Sequence, residues 1–204
     1  ATVERFLGGS RTCTGLTDFG RLQVQALRDR LITGRDVAAT VLMSCNFPRA
    51  VETAQILAPA LGSMPFGIDA GWGEHDPGPD LDGMPYDAYV AKFGTPTWSD
   101  PDEVMFPGGE TVGQFHTRVV RTLRETVRRH EGETIVVACH GGVVDAVMRH
   151  TLQMHQTGKF ELHTLNTSLT EIVHVEGSKW RLVRYNDAAH LSALESSFSP
   201  DSSA

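Results

Sequence analysis

Thr134-Ile-Val-Val-Ala-Cys139 is a short, nearly all-apolar run that ends in His140-Gly141-Gly142. Runs of this length, rich in β-branched residues and without polar alternation, suit strands buried on both faces of a parallel sheet. Two glycines mark an immediate turn, and residues 143–152 continue with helical spacing. A second run, Ala39-Thr-Val-Leu-Met-Ser44, reads the same way, and Pro48 then suits the first turn of a helix carrying Ala50, Ala54, Ile56 and Leu57. Repetition of strand, tight turn and helix points to an α/β fold, a three-layer sandwich with a mostly parallel central sheet flanked by helices.

The other segments fit this frame. Thr17 is a plausible N-cap for a helix to about Leu31, with Leu22, Val24, Ala26, Leu27 and Leu31 on its apolar side. Residues 65–109 hold seven of the ten prolines and read as loop, with a short strand at 66–69 and a small helix at 86–93. Residues 111–130 form the longest helical pattern, with Phe115, Val119 and Leu123 four apart. Residues 168–175 and 180–185 read as an antiparallel pair turned at Glu176-Gly177. Residues 1–191 are expected to form one domain with a short cap around 81–106, and the serine-rich stretch 192–204 a disordered tail.

Charge and cysteine content narrow the partners. Eighteen basic against 25 acidic residues leave a net charge of −7, which disfavours whole-molecule binding to nucleic acid or an anionic membrane. No apolar run approaches the roughly 18 residues of a membrane span. Cys13, Cys45 and Cys139 are dispersed and odd in number, as expected of a reducing, cytoplasmic setting rather than of a cysteine metal site. His150 with His155, or His75 with Asp76, lack the usual zinc spacing, so no metal or other cofactor is expected.

In an open parallel sheet, ligands bind beyond the carboxyl ends of the strands. Arg49 falls in the first turn of a helix just there, where the positive dipole end disfavours a cation. Either an anion lies nearby, or the arginine pairs at the surface with Glu52 or Asp18. His140 ends a buried strand, and the N–H groups that follow, Gly141 first, are suited to an anion. Glu74, in Gly73-Glu-His-Asp-Pro-Gly78, could be a positioned general acid. Its neighbours Asp76, Asp80 and Asp82 favour the plainer reading of a solvated acidic loop.

Taken together, these segments resemble the histidine phosphatase superfamily, the phosphoglycerate-mutase-like fold. The resemblance runs from Gly15 to Leu191. It rests on Gly15-Leu-Thr-Asp-Phe-Gly20, on Ser44 to Ala54 as S-x-x-x-x-R-A-x-x-T-A, and on Glu74 with Gly78 as E-x-x-x-G. Pro107-Gly-Gly-Glu-Thr111, His140-Gly141-Gly142, Asn166-Thr-Ser168 and Asn186-Asp-Ala-Ala-His190-Leu191 also match. It implies a metal-independent phosphomonoesterase, nearer the phosphatase than the mutase branch, that works on a small phosphate ester through a phosphohistidine. Arg49 would clamp the phosphate with His140 and Gly141, and Glu74 would donate and later accept the proton.

One family element has no counterpart here. Members open with a strand ending in Arg-His-Gly, which carries the nucleophile, and none of the nine histidines replaces it. The resemblance therefore implies that this first, central strand precedes Ala1, and that residues 1–204 alone are inactive. The alternative is a non-catalytic relative that binds phosphorylated ligands. The first loop, Gly8-Gly-Ser-Arg11-Thr-Cys-Thr14, is longer and more basic than the family's, and Arg11 is a candidate substrate contact. Tyr86, Trp98, Met105 and Phe106 offer either an apolar substrate wall or the cap's own core. Expected partners are a small-molecule phosphate ester, no nucleic acid and no membrane, with a homodimer left open.

Overall fold

The computed structural model describes residues 6–34, 37–158 and 160–195. Its elements are α1 (Asp18–Gly34), β1 (Val41–Ser44), α2 (Pro48–Leu57), β2 (Phe66–Ile68), α3 (Tyr86–Phe93), α4 (Val112–Arg129), β3 (Ile135–Ala138), α5 (Gly141–Thr151), β4 (Leu169–Glu176), β5 (Lys179–Asp187) and the short α6 (Ser192–Glu195). Among the described residues, β2, β1 and β3 form a parallel sheet in that order, while β4 and β5 form a separate antiparallel pair.

Alternation along β1 and β3 creates two cores. Val41, Met43, Ile135 and Val137 pack with Phe115, Val119 and Leu123 of α4 and with Val143 and Ala146 of α5. Leu42, Val136 and Ala138 pack with Val24, Leu27 and Leu31 of α1 and with Ala54 and Leu57 of α2. Helices thus cover both faces of the sheet. Each fully buried Leu or Val contributes roughly 1.5–3 kcal/mol relative to exposure, and this burial more than helix propensity holds the layers together. Among the described residues β3 pairs with β1 alone, and Ile135, Val136 and Val137 stay half-buried although their sequence suits a central strand.

Local signals act as the sequence suggests. Thr17 Oγ1 accepts from the Gly20 N–H at 3.0 Å, and Thr111 and Gln114 form a reciprocal capping box at the start of α4. Leu22 departs from expectation. It is 40% exposed, because the buried stripe of α1 runs through Val24, Leu27 and Leu31 instead. Helix α5 also starts two residues early, since both glycines lie in its first turn. Ser192–Glu195 is helical where composition suggests disorder, because Leu191 is anchored in the core just before it. The remainder of the expected tail, 196–204, lies outside the described residues.

A third cluster belongs to the cap. Leu81, Tyr89, Met105 and Phe106 pack with Leu7 and Val112, and Tyr86 lies against them. Three of the four aromatic and apolar cap residues singled out from the sequence are therefore the cap's own core. Trp98 is the exception, 47% exposed with its ring edge-on to His75. No helix among the described residues is long and apolar enough to cross a membrane.

Candidate active site

Parallel register brings two strand ends together. Ser44 lies opposite Ala138, and the Cys45 N–H donates to Ala138 O at 3.3 Å, so Cys45 and His140 emerge side by side. Cys45 Sγ and His140 Nε2 are 3.0 Å apart. The Phe47 ring lies 4.7 Å from that of His140, and the Arg49 guanidinium lies over Phe47 at 4.6 Å. Arg49 is not tied up at the surface. Arg21 takes both acids that could have held it, Glu52 at 2.5 Å and Asp18 at 2.8 Å. Arg49 instead donates to Gly8 O at 3.3 Å and faces Cys13 in the first loop.

Glu74 joins this group, which corrects the solvated-loop reading. Its Oε2 accepts from the Gly142 N–H at 3.1 Å, so the carboxyl rests on the N-terminus of α5. Burial pushes this carboxyl above its ordinary range, partly offset by the His75 and Gly142 N–H groups and by Arg49 and Arg118. The N–H engaged at the start of α5 is therefore that of Gly142, while Gly141 itself is exposed. Burial, together with Arg49 and Arg118, pushes His140 down to about 3, so its imidazole is neutral near pH 7. A raised carboxyl beside a depressed imidazole gives a proton donor and a neutral hydrogen-bond partner at one locus.

Arg118, which carries no signal in the helical pattern of α4, holds the acid's loop in place. Its Nε and Nη2 bind both carboxylate oxygens of Glu110 at 2.6 and 2.9 Å. The same guanidinium donates to Gly71 O at 2.9 Å, Gly73 O at 3.0 Å and Glu74 O at 3.2 Å. Glu110 belongs to Pro107-Gly-Gly-Glu-Thr111, and that motif interlocks with the Glu74 loop. A Cβ on Gly78, where φ is +80°, would lie 2.6 Å from the Gly108 backbone. Close backbone approach explains why both motifs contain glycine.

Arg11 sits at the rim, half-exposed, with Nη1 3.3 Å from Asp76 Oδ1. Asp82 shapes that loop by accepting from the N–H groups of Gly9 at 2.9 Å and Arg11 at 2.8 Å and from the Thr12 hydroxyl. The late motifs serve as fastenings. Asn186 Oδ1 accepts from the Leu165 N–H at 2.7 Å, Thr167 and His190 share a hydrogen bond of 3.1 Å, and Asp187 binds Arg30. Among the described residues, no three His, Cys, Asp or Glu side chains gather as a metal-binding group.

Comparison with known proteins bears on family and fold. The family model described as histidine phosphatase superfamily (branch 1) matches residues 2–188. Phosphoglycerate mutase-like protein 4 of Arabidopsis thaliana is 30% identical over 198 residues, covering 91% of this chain and 81% of that protein. A metal-independent phosphoserine phosphatase of the same plant is 28% identical over 161 residues, covering 78% of this chain and 60% of its own length. Among solved structures, mycobacterial glucosyl-3-phosphoglycerate phosphatase has a TM-score of 0.72 at 22% identity, covering 89% of this chain and 92% of its own. The alpha-ribazole phosphatase from Shigella flexneri has a TM-score of 0.78 at 19% identity, covering 92% and 91%. At those identities the structures show the fold alone, whereas the family match spans nearly the whole sequence, and the chain belongs to the histidine phosphatase superfamily.

Proposed function

We propose that this protein is a metal-independent phosphomonoesterase that hydrolyses a small phosphorylated metabolite through a phosphohistidine. The observation that carries the reading is the meeting of Arg49, Glu74 and His140 at the carboxyl ends of adjoining parallel strands, with the acid's carboxyl raised and the imidazole neutral. Relatives and fold neighbours whose names specify phosphoserine, glucosyl-3-phosphoglycerate and alpha-ribazole phosphatases support a phosphate monoester of a small alcohol as substrate.

In this reading the nucleophilic histidine comes from a segment preceding Ala1. Among the described residues one edge of β3 carries no strand, and its half-buried apolar residues support a strand beside it. That imidazole attacks phosphorus as the bond to the leaving oxygen breaks, and Glu74 gives its proton to that oxygen. Arg49 presents its planar fork to the equatorial oxygens, while neutral His140 and the exposed start of α5 at Gly141 donate hydrogen bonds to them. Glu74, now ionised, takes a proton from water as its oxygen attacks the phosphohistidine, releasing phosphate and restoring both groups. Arg11, at the rim beside Asp76, would meet the substrate's organic part.

The test is hydrolysis of 4-nitrophenyl phosphate and of phosphoserine in EDTA, by residues 1–204 and by the chain from its natural start. Turnover by the longer form that is lost in His140→Ala supports the reading. Turnover that survives His140→Ala refutes the role of His140. Phosphate binding without turnover in the longer form points to a non-catalytic relative, and isomerisation faster than hydrolysis in the presence of a phosphorylated primer points to a mutase.

A further inference from the structure

We propose that Cys45 is a positioning residue that sets the tautomer of His140: its thiol donates to Nε2, so the ring proton resides on Nδ1 and Nδ1–H is the donor offered to a phosphate oxygen. What Nδ1–H is for rests on the phosphatase reading above. Where the proton sits does not.

The geometry fixes both partners. Cys45 is fully buried in the residue step after β1, with its N–H on Ala138 O, and the strand pairing leaves its sulfur 3.0 Å from Nε2. The Phe47 ring lies against the imidazole, tilted by 60° with centroids 4.7 Å apart, and is itself covered by Arg49. Gly73 leaves room for this contact, since a Cβ there would crowd Ala70 O at 3.0 Å and Phe47 Cε2 at 3.2 Å.

A neutral imidazole has one donor and one acceptor nitrogen, and the hydrogen bond made at one fixes the role of the other. Burial raises the Cys45 thiol, and the Phe47 backbone also hydrogen-bonds the sulfur, so the side chain is S–H with its proton available for Nε2. An imidazole nitrogen is a strong acceptor and a thiol sulfur a weak one, so S–H donating to Nε2 wins over Nε2–H donating to sulfur. With Nε2 engaged by the thiol, Nδ1 is the ring nitrogen left for a phosphate oxygen. A ring free to exchange tautomers would present an acceptor lone pair to the phosphate part of the time, and that repels an anion.

Long-range ¹H–¹⁵N correlation spectra of labelled residues 1–204 read which nitrogen carries the proton, with the His140 ring assigned by its disappearance in His140→Gln. The wild-type chain should show Nδ1–H with bare Nε2 near neutral pH. Cys45→Ala should turn this into a mixture of tautomers and weaken inorganic phosphate binding about tenfold, roughly the worth of one misdirected hydrogen bond to an anion. Cys45→Ser should restore the wild-type pattern. An Nε2–H ring in the wild-type chain overturns the proposal, as does a Cys45→Ala spectrum unchanged from wild type. If Cys45→Ala fails to fold by circular dichroism, the wild-type spectrum alone decides. No turnover enters this measurement, so an absence of hydrolysis and a wrong tautomer are separate failures.

Discussion

Glu74 Oε2 accepts a hydrogen bond from the Gly142 N–H at 3.1 Å, which seats the acid on the first turn of α5 directly after His140. A Cβ on Gly142 would overlap that carboxyl. Gly142→Ala should therefore displace Glu74 while leaving the helix itself content, since alanine is the better helix former. The expected result is a fall in kcat of about a hundredfold, the scale set by a 1 Å misplacement of a reacting group, with a melting temperature close to wild type. Steady-state kinetics of the longer chain with phosphoserine and a thermal melt check both halves. A normal kcat would show that the acid works without this seat.

The raised carboxyl of Glu74 gives a prediction that needs no substrate. Its folded pKa lies above the unfolded one, so its contribution to stability is fully present below the unfolded value, about 4.3, and is lost as pH rises through the folded value. Glu74→Gln keeps the neutral shape at every pH. The variant should melt at the same temperature as wild type near pH 4 and at a higher one near pH 8. In kinetics of the longer chain the variant should release a burst of 4-nitrophenol, whose departure needs no proton, and then stall for want of a base. Phosphoserine, with its poor leaving group, should give neither burst nor turnover.

Arg118 touches no proposed substrate atom, yet it links Glu110 to three carbonyls of the segment that carries Glu74. Arg118→Lys keeps the charge but loses the fork. Charge-assisted hydrogen bonds are worth about 1.5–3 kcal/mol each where a buried partner is left unmet. Thermal melts should show a loss of roughly that size, and in the longer chain kcat should fall more than KM rises. Combining Arg118→Lys with Glu110→Gln in a double-mutant cycle should reveal coupling, because each change breaks the same pair. Additive losses would mean that the loop is held by something else.

Much of this site is legible from sequence, for unequal reasons. Apolar runs such as Thr134 to Cys139 reveal the strands because burial on both faces leaves no room for polar alternation. Arg49 stands out because a cation in a helix's first turn needs a reason. Glu74 is obscured by Asp76, Asp80 and Asp82, since composition reports the loop's average whereas burial is decided by distant partners, Gly142 and Arg118. Arg118 is hidden for the same cause, being one arginine among several on α4. The start of α5 is misjudged because glycine signals a turn, while here its missing side chain makes room for a carboxyl within the helix.

The three cysteines should react in a set order. Burial pushes the Cys13 thiol up, but hydrogen bonds from the backbone of Gly15 and from the backbone and side chain of Arg49, with that cation's charge, outweigh it and hold the thiol below its usual value. Burial raises Cys45 and pushes Cys139 up to about 12. The thiolate is the nucleophile, so iodoacetamide near neutral pH should label Cys13 alone in the folded chain, read by peptide mass spectrometry. Inorganic phosphate should slow the labelling by drawing on the same guanidinium. Arg49→Gln should slow it too and abolish the phosphate effect. Equal labelling of all three would contradict the placement of Arg49 against the first loop.

Asp187 fastens the end of β5 to α1, its two oxygens meeting Arg30 at 2.9 and 2.6 Å and one of them also accepting from the Ala189 N–H. The Arg30 hydrogen bond is the main reason its carboxyl sits well below the usual range, helped by Ala189 and the charges of Arg30 and Arg184. A depressed folded pKa contributes stability above the unfolded value, about 3.9, and that stability is lost as pH falls through the folded value. Asp187→Asn should therefore cost on the order of 1.5–3 kcal/mol at neutral pH, the worth of hydrogen bonds to a charged group. The gap to wild type should hold from neutral pH down to about pH 5 and close progressively below pH 4. Urea unfolding of both proteins across that range is the measurement. A gap that persists undiminished at low pH would mean that Asp187 stabilises the chain through its shape and not its charge.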